Sequence, residues 1–351
     1  MNILVNNWWK EIDQFNFFIV ITLMVIGTIL SFSINYETLF YFKRHLIYVF
    51  ASVILIIIVS YLEPKTLRRL AVVGLIISTG LMISILLMNY EVNGSKRWIR
   101  LWQFNLQPSE FLKPFFLLVS AWFLSKGIEG QKIALYIVFT SFLILTSLLI
   151  LQPDFGMTIL FVATFFCQLF IAGLSITLII FAFFLIILLS IFSYFTLDHV
   201  RKRIDMFFDP NIENYQITQS LNAFKSGGIF GKGPGQGILK EKIPDAYNDF
   251  IFSVAGEEFG FILCCLIILL FLVFIIRNLI KLLNVDKPYI INAVVGLVSC
   301  FGLQVFINIS SSLDIIPTKG MTLPLISYGG SSMLSSAILV GFLLSLLKIK
   351  K

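Results

Sequence analysis

The sequence predicts an all-α polytopic membrane protein, with about ten transmembrane helices and a large extracellular loop between the seventh and the eighth. Three observations carry this. Apolar residues make up 58% of the chain, aromatics 15% and charged residues only 13%, more oil than a soluble surface can cover. The apolar residues fall in runs of roughly 20, the length that crosses a bilayer core. One long polar interruption, Leu197 to Asn248, separates the early runs from the late ones.

In order, the expected spans are Phe15 to Phe32, Leu46 to Leu62, Leu70 to Met88, Phe111 to Leu124, Ile133 to Leu151, Phe155 to Ile171, Ile176 to Phe195, Phe250 to Ile276, Ile290 to Ile309 and Met333 to Leu347. The fourth and tenth are short. The opening "MNILVNNWWKEIDQ" lacks a basic leader, and the run after it is long enough to cross, so an uncleaved first helix is expected. No soluble module or repeat interrupts the pattern, which predicts one transmembrane domain over 1–351 containing the loop 197–248. Cys167, Cys264, Cys265 and Cys300 lie in apolar runs without metal-ligand spacing, and His45 and His199 are isolated.

Orientation follows Lys and Arg in the short loops. One side carries Lys10, Lys65, Arg68, Arg69, Lys126, Lys132, Arg277, Lys281, Lys287, Lys348, Lys350 and Lys351; the other carries Lys43, Arg44, Lys96, Arg97, Arg100 and Lys319. That balance places both termini in the cytoplasm. The long loop adds Arg201, Lys202, Arg203, Lys225, Lys232, Lys240 and Lys242 to the outer side. A basic exterior that opposes the insertion rule suits an anionic partner such as lipid phosphate or pyrophosphate, although basic anchors at headgroup level fit equally well.

Polar clusters recur at the rims. "NGSKRWIRLWQFNLQPSEFLK", Asn93 to Lys113, sets Lys96, Arg97 and Arg100 among tryptophans and leads into a span with Glu110 and Lys113 three apart, on one helix face. An ion pair is slightly favoured over substrate contact for these two, and such charges should face protein or water rather than lipid. In "LQPDFGMT", Asp154 stands where it can cap the next helix. The loop segment "YQITQSLNAFKSGGIFGKGPGQG" reads as a short helix, Tyr215 to Phe224, followed by six glycines in eleven residues. No phosphate-loop spacing is present, so the glycines are expected to form a flexible or close-packed flap over a cavity. "LDIIPTKGMTLPLISYGGSSM", Leu313 to Met333, has Pro and Gly breaks that must be buried or line a wet cavity.

Taken in series, "NGSKRW", "QPSEFLK", "QPDFG", "YQITQSL", "NDFIFSVAGEEFGF" and "PTKGMTLPLISYGGSSM" resemble the signatures of the SEDS family (shape, elongation, division and sporulation) from about Gly94 to Met333. "SLNAFKSGG" and "PTKGMTLPLISYGG" look more like its FtsW branch, the division members. The resemblance implies both termini inside and a peptidoglycan glycosyltransferase polymerising lipid II at the outer face of the cytoplasmic membrane, at the division septum. It also implies a class B penicillin-binding protein as transpeptidase partner, together with other divisome proteins and no nucleic acid. Two departures stand out. The family's usual His-Thr before the aspartate is Tyr247-Asn248 here, and a basic residue two positions before "QPSE" is Asn105.

Joining sugars requires a base for the acceptor hydroxyl and cations for the departing pyrophosphate. Asp249, at the mouth of the eighth span, matches the family's proposed catalytic aspartate; by position alone, a helix-capping acid is the better reading. Lys96, Arg97, Arg100 and Lys113 are candidate phosphate contacts, and Glu241, Gln219 and Ser220 match further substrate-side positions. Glu110, Asp154, Glu257, Glu258 and Tyr328 are expected to be structural; on a continuous helix Glu257 would lie about 12 Å below Asp249. No dedicated metal cage is visible, and a divalent cation, Mg²⁺ or Mn²⁺, bridging Asp249 or Glu241 to pyrophosphate is left open. A lipid flippase, an elongation-type polymerase and a division scaffold are the rival readings.

Overall fold

A computed structural model describes residues 8–34, 39–87, 97–101, 104–173, 215–317 and 320–348, with scattered positions between 177 and 205. The helices are α1 Gln14–Ile34, α2 Phe40–Tyr61, α3 Pro64–Leu87, α4 Pro108–Ile128, α5 Lys132–Leu151, α6 Phe155–Ile171, α7 Tyr215–Gly227, α8 Ile251–Leu282, α9 Pro288–Ser312 and α10 Gly330–Leu346. Seven of them are long and apolar enough to cross a membrane, and α6 and α10 are shorter apolar helices. Most of the expected seventh span lies outside the described residues.

Several helices outrun their apolar cores. α2 begins before Lys43, Arg44 and His45, α3 before Lys65, Arg68 and Arg69, and α4 takes in Glu110, Lys113 and Lys126. Hydropathy marks the oily part of a span, whereas the backbone keeps its helical bonds into the headgroup zone, where charged ends are welcome. Pro108 and Pro288 occupy first-turn positions, where the missing N–H costs no bond. Between α3 and α4, β1 (Ile99–Leu101) and β2 (Phe104–Leu106) pair antiparallel, with Arg100 opposite Asn105.

α4, α9 and α10 form the centre of the bundle, with α10 buried along almost its whole length against α2. Gly341 permits that approach, because a Cβ there would lie 2.7 Å from Val59 Cβ. α2, α3, α5 and the long apolar part of α8 turn most of their side chains outward.

The eighth span is not one straight helix. Gly260 has φ 74° and ψ −169°, and the backbone groups freed by this break are taken up by the glycine loop. Phe261 N–H donates to Gly228 O (3.0 Å) and Ile262 N–H to Ile229 O (3.3 Å), while Lys232 and Gly233 N–H donate to the carbonyls of Glu257 (3.0 Å) and Glu258 (2.9 Å). The glycines are required by contact: a Cβ on Gly231 would sit 2.2 Å from Glu258 O, and one on Gly227 2.0 Å from Gly256 O. The expected flap is therefore a strap close-packed on α8. Glu257 and Glu258 precede the break, on the continuous helical stretch that begins at Ile251, and both bind other segments, as expected of structural acids.

At the other end of α8, Asp13 is held by Arg277 (2.7 Å) and Lys281 (2.6 Å). Burial alone would raise its carboxyl pKa, but the bonds from Arg277 and Lys281 outweigh this and hold it below the ordinary value.

Candidate active site

The turn 244–250 carries Asp249. Asn248 and Asp249 N–H both donate to Asp245 O, at 2.9 and 3.1 Å. Ile243, Ala246 and Phe250 bury against Ala223 of α7 and Val254 of α8, which fixes the turn and leaves Asp249 half-buried. The N-cap of α8 is Phe250, and no side chain caps the helix. The capping role weighed for Asp249 from sequence therefore does not describe its position.

Two direct bonds and one bridging amide tie this turn to the segment 320–329. Asn308 of α9, fully buried, donates through Nδ2 to Asp249 O (2.8 Å) and Met321 O (2.6 Å). Ser327 Oγ donates to Asn248 O (2.6 Å), and Tyr328 N–H donates to Tyr247 O (2.9 Å). Gly320, at φ 60°, borders the carboxylate: a Cβ there would lie 3.3 Å from Asp249 Oδ2. The acid thus sits between two chain segments bonded directly to each other and bridged by a buried amide.

Beside it stands a wall of tyrosines. Tyr41 stacks on Tyr247 with ring centroids 4.2 Å apart, and Tyr328 meets them edge-on at 5.2 and 5.7 Å. Tyr48 and His45 follow at 6.2 and 6.5 Å from Tyr328. Burial first, and then the hydrogen bond with Tyr41, push the Tyr247 hydroxyl well above the usual phenol range. Burial also raises Tyr328, against the opposing pull of its hydrogen bond with Arg44. These hydroxyls stay neutral near pH 7, so the group at the family's histidine position is not a base. Of this wall only Tyr328 is among the expected site residues; Tyr247 stands in the sequence as a departure and Arg44 as an outer-side charge, and Tyr41 and Tyr48 go unmarked, because nothing in their local sequences ties three separate segments together.

A polar network continues beneath the 320–329 segment. Lys113 Nζ lies 2.8 Å from both Glu110 Oε2 and Gln304 Oε1. Gln304 Nε2 donates to Thr322 O (3.2 Å), and Thr322 Oγ1 is 2.5 Å from Ser332 Oγ. Lys113 is buried, and its ammonium is shared between an acid and an amide. Gln304 and Asn308, one turn apart on α9, could have been noticed as polar interruptions of an apolar run.

The remaining candidates scatter. Lys96 lies outside the described residues. Arg97 is clamped to the "QPD" turn: its guanidinium donates to the carbonyls of Gln152 (3.2 Å) and Pro153 and lies 3.6 Å from Asp154. Asp154 caps α6 by accepting from Met157 N–H (3.4 Å) and also accepts from Gln107 Nε2 (3.2 Å). Arg100 and Glu241 are exposed, Gln219 half-buried. Ser220 corrects its expected substrate role: it is fully buried, its hydroxyl 2.6 Å from both Ser312 O and Ser253 Oγ, and in that place it links α7, α8 and α9.

Glu257 and Glu258 fasten the loop. Glu257 accepts the backbone N–H groups of Ile238, Leu239 and Lys240, each at 2.9 Å. Glu258 takes Lys240 Nζ at 2.6 Å and the hydroxyl of Ser33, while the same ammonium donates to Ser33 O at 2.6 Å. Lys240 is fully buried and is subtracted from the basic exterior counted from sequence.

Among the described residues, no three His, Cys, Asp or Glu side chains come together as a metal site. Asp249 offers one carboxylate at the rim, which suits a base or a single ligand to a cation otherwise held by substrate oxygens.

The profile of the FtsW/RodA/SpoVE family, cell cycle proteins, matches residues 10–351. A Caulobacter vibrioides protein named probable peptidoglycan glycosyltransferase FtsW is 36% identical over 352 residues, covering 97% of this chain and 90% of its own length. The protein of the same name from Wigglesworthia glossinidia brevipalpis is 34% identical, covering 92% and 90%. Among solved structures, a chain from a peptidoglycan synthase complex coordinating polymerization and crosslinking superposes with a TM-score of 0.80 at 25% identity, covering 97% of this chain and 98% of that one. The rod shape determining protein RodA of Thermus thermophilus, at 24% identity with 97% of each chain covered, shares the fold with a TM-score of 0.72. With a profile match over nearly its whole length and relatives above 30% identity along most of theirs, this chain belongs to the FtsW/RodA/SpoVE family of cell cycle proteins.

Proposed function

We propose that this chain is a peptidoglycan glycosyltransferase that polymerises lipid II into glycan strands during cell division. The observation that carries the reading is Asp249: an acid at the head of an apolar span, held by its own backbone to Asn308 and bordered by glycine, in a family whose FtsW-named relatives bear that activity in their names. The carboxylate takes the proton of the acceptor hydroxyl as oxygen attacks the anomeric carbon of the donor sugar. The bond to pyrophosphate breaks, and the lipid pyrophosphate leaves with its electrons. Arg44, which hydrogen-bonds Tyr328 of the aromatic wall, is a rim cation for it, and Arg100 stands exposed on the β1–β2 hairpin. A divalent ion, Mg²⁺ or Mn²⁺, would draw most of its ligands from pyrophosphate and add charge neutralisation there.

The interior favours chemistry over transport. Where the end of α6 meets the start of α9, Ser120, Gln168 and the Asn292 carbonyl close on one another at 2.6 to 3.2 Å, and Gln168 fills the space beside Gly296. This is an uncharged bolt between helices, where a flippase needs an open polar path. The test is incubation of purified protein with lipid II, alone and with a class B penicillin-binding protein, and separation of the products by gel. Glycan ladders support the proposal; a stable protein that yields none with either preparation overturns it in favour of a scaffold.

The crosslinking half of the synthase belongs, in this reading, to that transpeptidase partner, working with other divisome proteins at the septal cytoplasmic membrane. The Lys and Arg balance of the short loops supports termini inside and the 197–248 loop outside. A Ser226→Cys protein in intact cells should accordingly react with an impermeant maleimide. Labelling only after permeabilisation reverses the orientation.

A further inference from the structure

The helix break at Gly260 coincides with the most exposed apolar side chains among the described residues of the loop. Phe230 is 80% exposed, Ile229 62% and Ile238 63%. The bonds from Phe261 and Ile262 N–H to Gly228 and Ile229 seat this tip against the start of the outward stripe of α8, where Phe261, Ile262, Leu266, Leu269, Leu272 and Ile276 are all exposed. The apolar tip therefore continues a lipid-facing surface.

Span length fixes its depth. No charge occurs between Gly260 and Arg277, and this stretch is about 24 Å long at 1.5 Å per residue. That is shorter than a hydrocarbon core of about 30 Å. If Arg277 and Lys281 reach the headgroups on one side, Gly260 cannot stand clear of lipid on the other. Broken backbone at that level must have its polar groups satisfied by protein, and the strap does this with four bonds. Its flanks carry exposed Lys225 and Lys232, the latter 3.5 Å from Glu257 through Nζ. An apolar tip between lysines is the pattern of an interfacial anchor, with oil in the acyl region and cations among phosphates.

We propose that the tip at residues 228–230, with Ile238 beside it, forms a wedge inserted into the leaflet on the Asp249 side, with Ile229, Phe230 and Ile238 among phospholipid acyl chains and Lys225 at the headgroup phosphates. The wedge covers the helix break with the protein's own backbone and fixes the height of the adjoining rim relative to the bilayer. It stands independently of the catalytic assignment, because it rests on the break, the exposure and the span length.

The full chain, with Cys167, Cys264, Cys265 and Cys300 replaced by Ala, is reconstituted in phosphatidylcholine–phosphatidylglycerol vesicles at low protein density. A nitroxide is attached at Phe230→Cys, at Gln236→Cys as the exposed loop reference and at Leu269→Cys as the lipid reference. Position 230 should relax more strongly with oxygen than with a water-soluble nickel chelate, as at 269 and opposite to 236. Nickel accessibility equal to that at 236 overturns the wedge. Shielding from both reagents also overturns it, and points to a second protein surface packed there. If the cysteine-free chain fails to fold, Phe230→Trp in the native chain replaces the label: brominated lipids should quench the added emission, and unquenched emission rejects insertion.

Discussion

Asp249→Asn should lower lipid II polymerisation by about 10² to 10⁴-fold, the usual contribution of a general base. The substitution keeps the size of the side chain and leaves the backbone carbonyl that accepts from Asn308 in place. Thermal stability should accordingly change little. Asp245→Asn, on the exposed side of the same turn, should retain most activity. The neighbouring tyrosine hydroxyls cannot substitute, because burial keeps Tyr247 and Tyr328 protonated. Product formation and melting temperature, measured for both variants in one detergent preparation, decide the matter. A well-folded Asp249→Asn protein with wild-type turnover removes the catalytic assignment.

Lys240→Met should destabilise the protein by about 3–5 kcal/mol, the cost of leaving one member of a buried ion pair without its partner. Both charges are fully buried, and the ammonium also holds Ser33 of α1 to the loop. Adding Glu258→Gln to Lys240→Met should recover a good part of the loss, because the stranded charge is then gone and an amide can still accept from Ser33. Equal melting temperatures for wild type and Lys240→Met would mean that the pair contributes nothing. A double variant no better than the single one would place the loss in packing rather than charge.

Both cases show what the chain discloses on its own. Spans are legible because lipid imposes one composition over one length, and the rim acid is legible because a charge at the mouth of such a run stands out. Asp154 was readable as a cap from its local position alone. Lys240 was not, since "LKEKIPD" looks like a solvated basic loop until Glu258 and Ser33, from two other segments, close around it. The Gly260 break escaped notice because glycine is common in membrane helices, and only the approach of a second backbone shows why φ is positive there. Ser220 went astray for a related reason: position in a motif does not tell which face of a short helix meets solvent and which meets two neighbouring helices.

Asn308 has a mechanical consequence. Its one amide nitrogen holds carbonyls from two segments, at Asp249 and Met321, and its Cα belongs to a helix packed along much of its length by α4 and α6. Any tilt or slide of α9 therefore pulls on the 244–250 turn and the 320–329 segment together, like two tools on one spindle. Force applied to α9 would be felt at both segments at once and would leave the distance between them nearly constant.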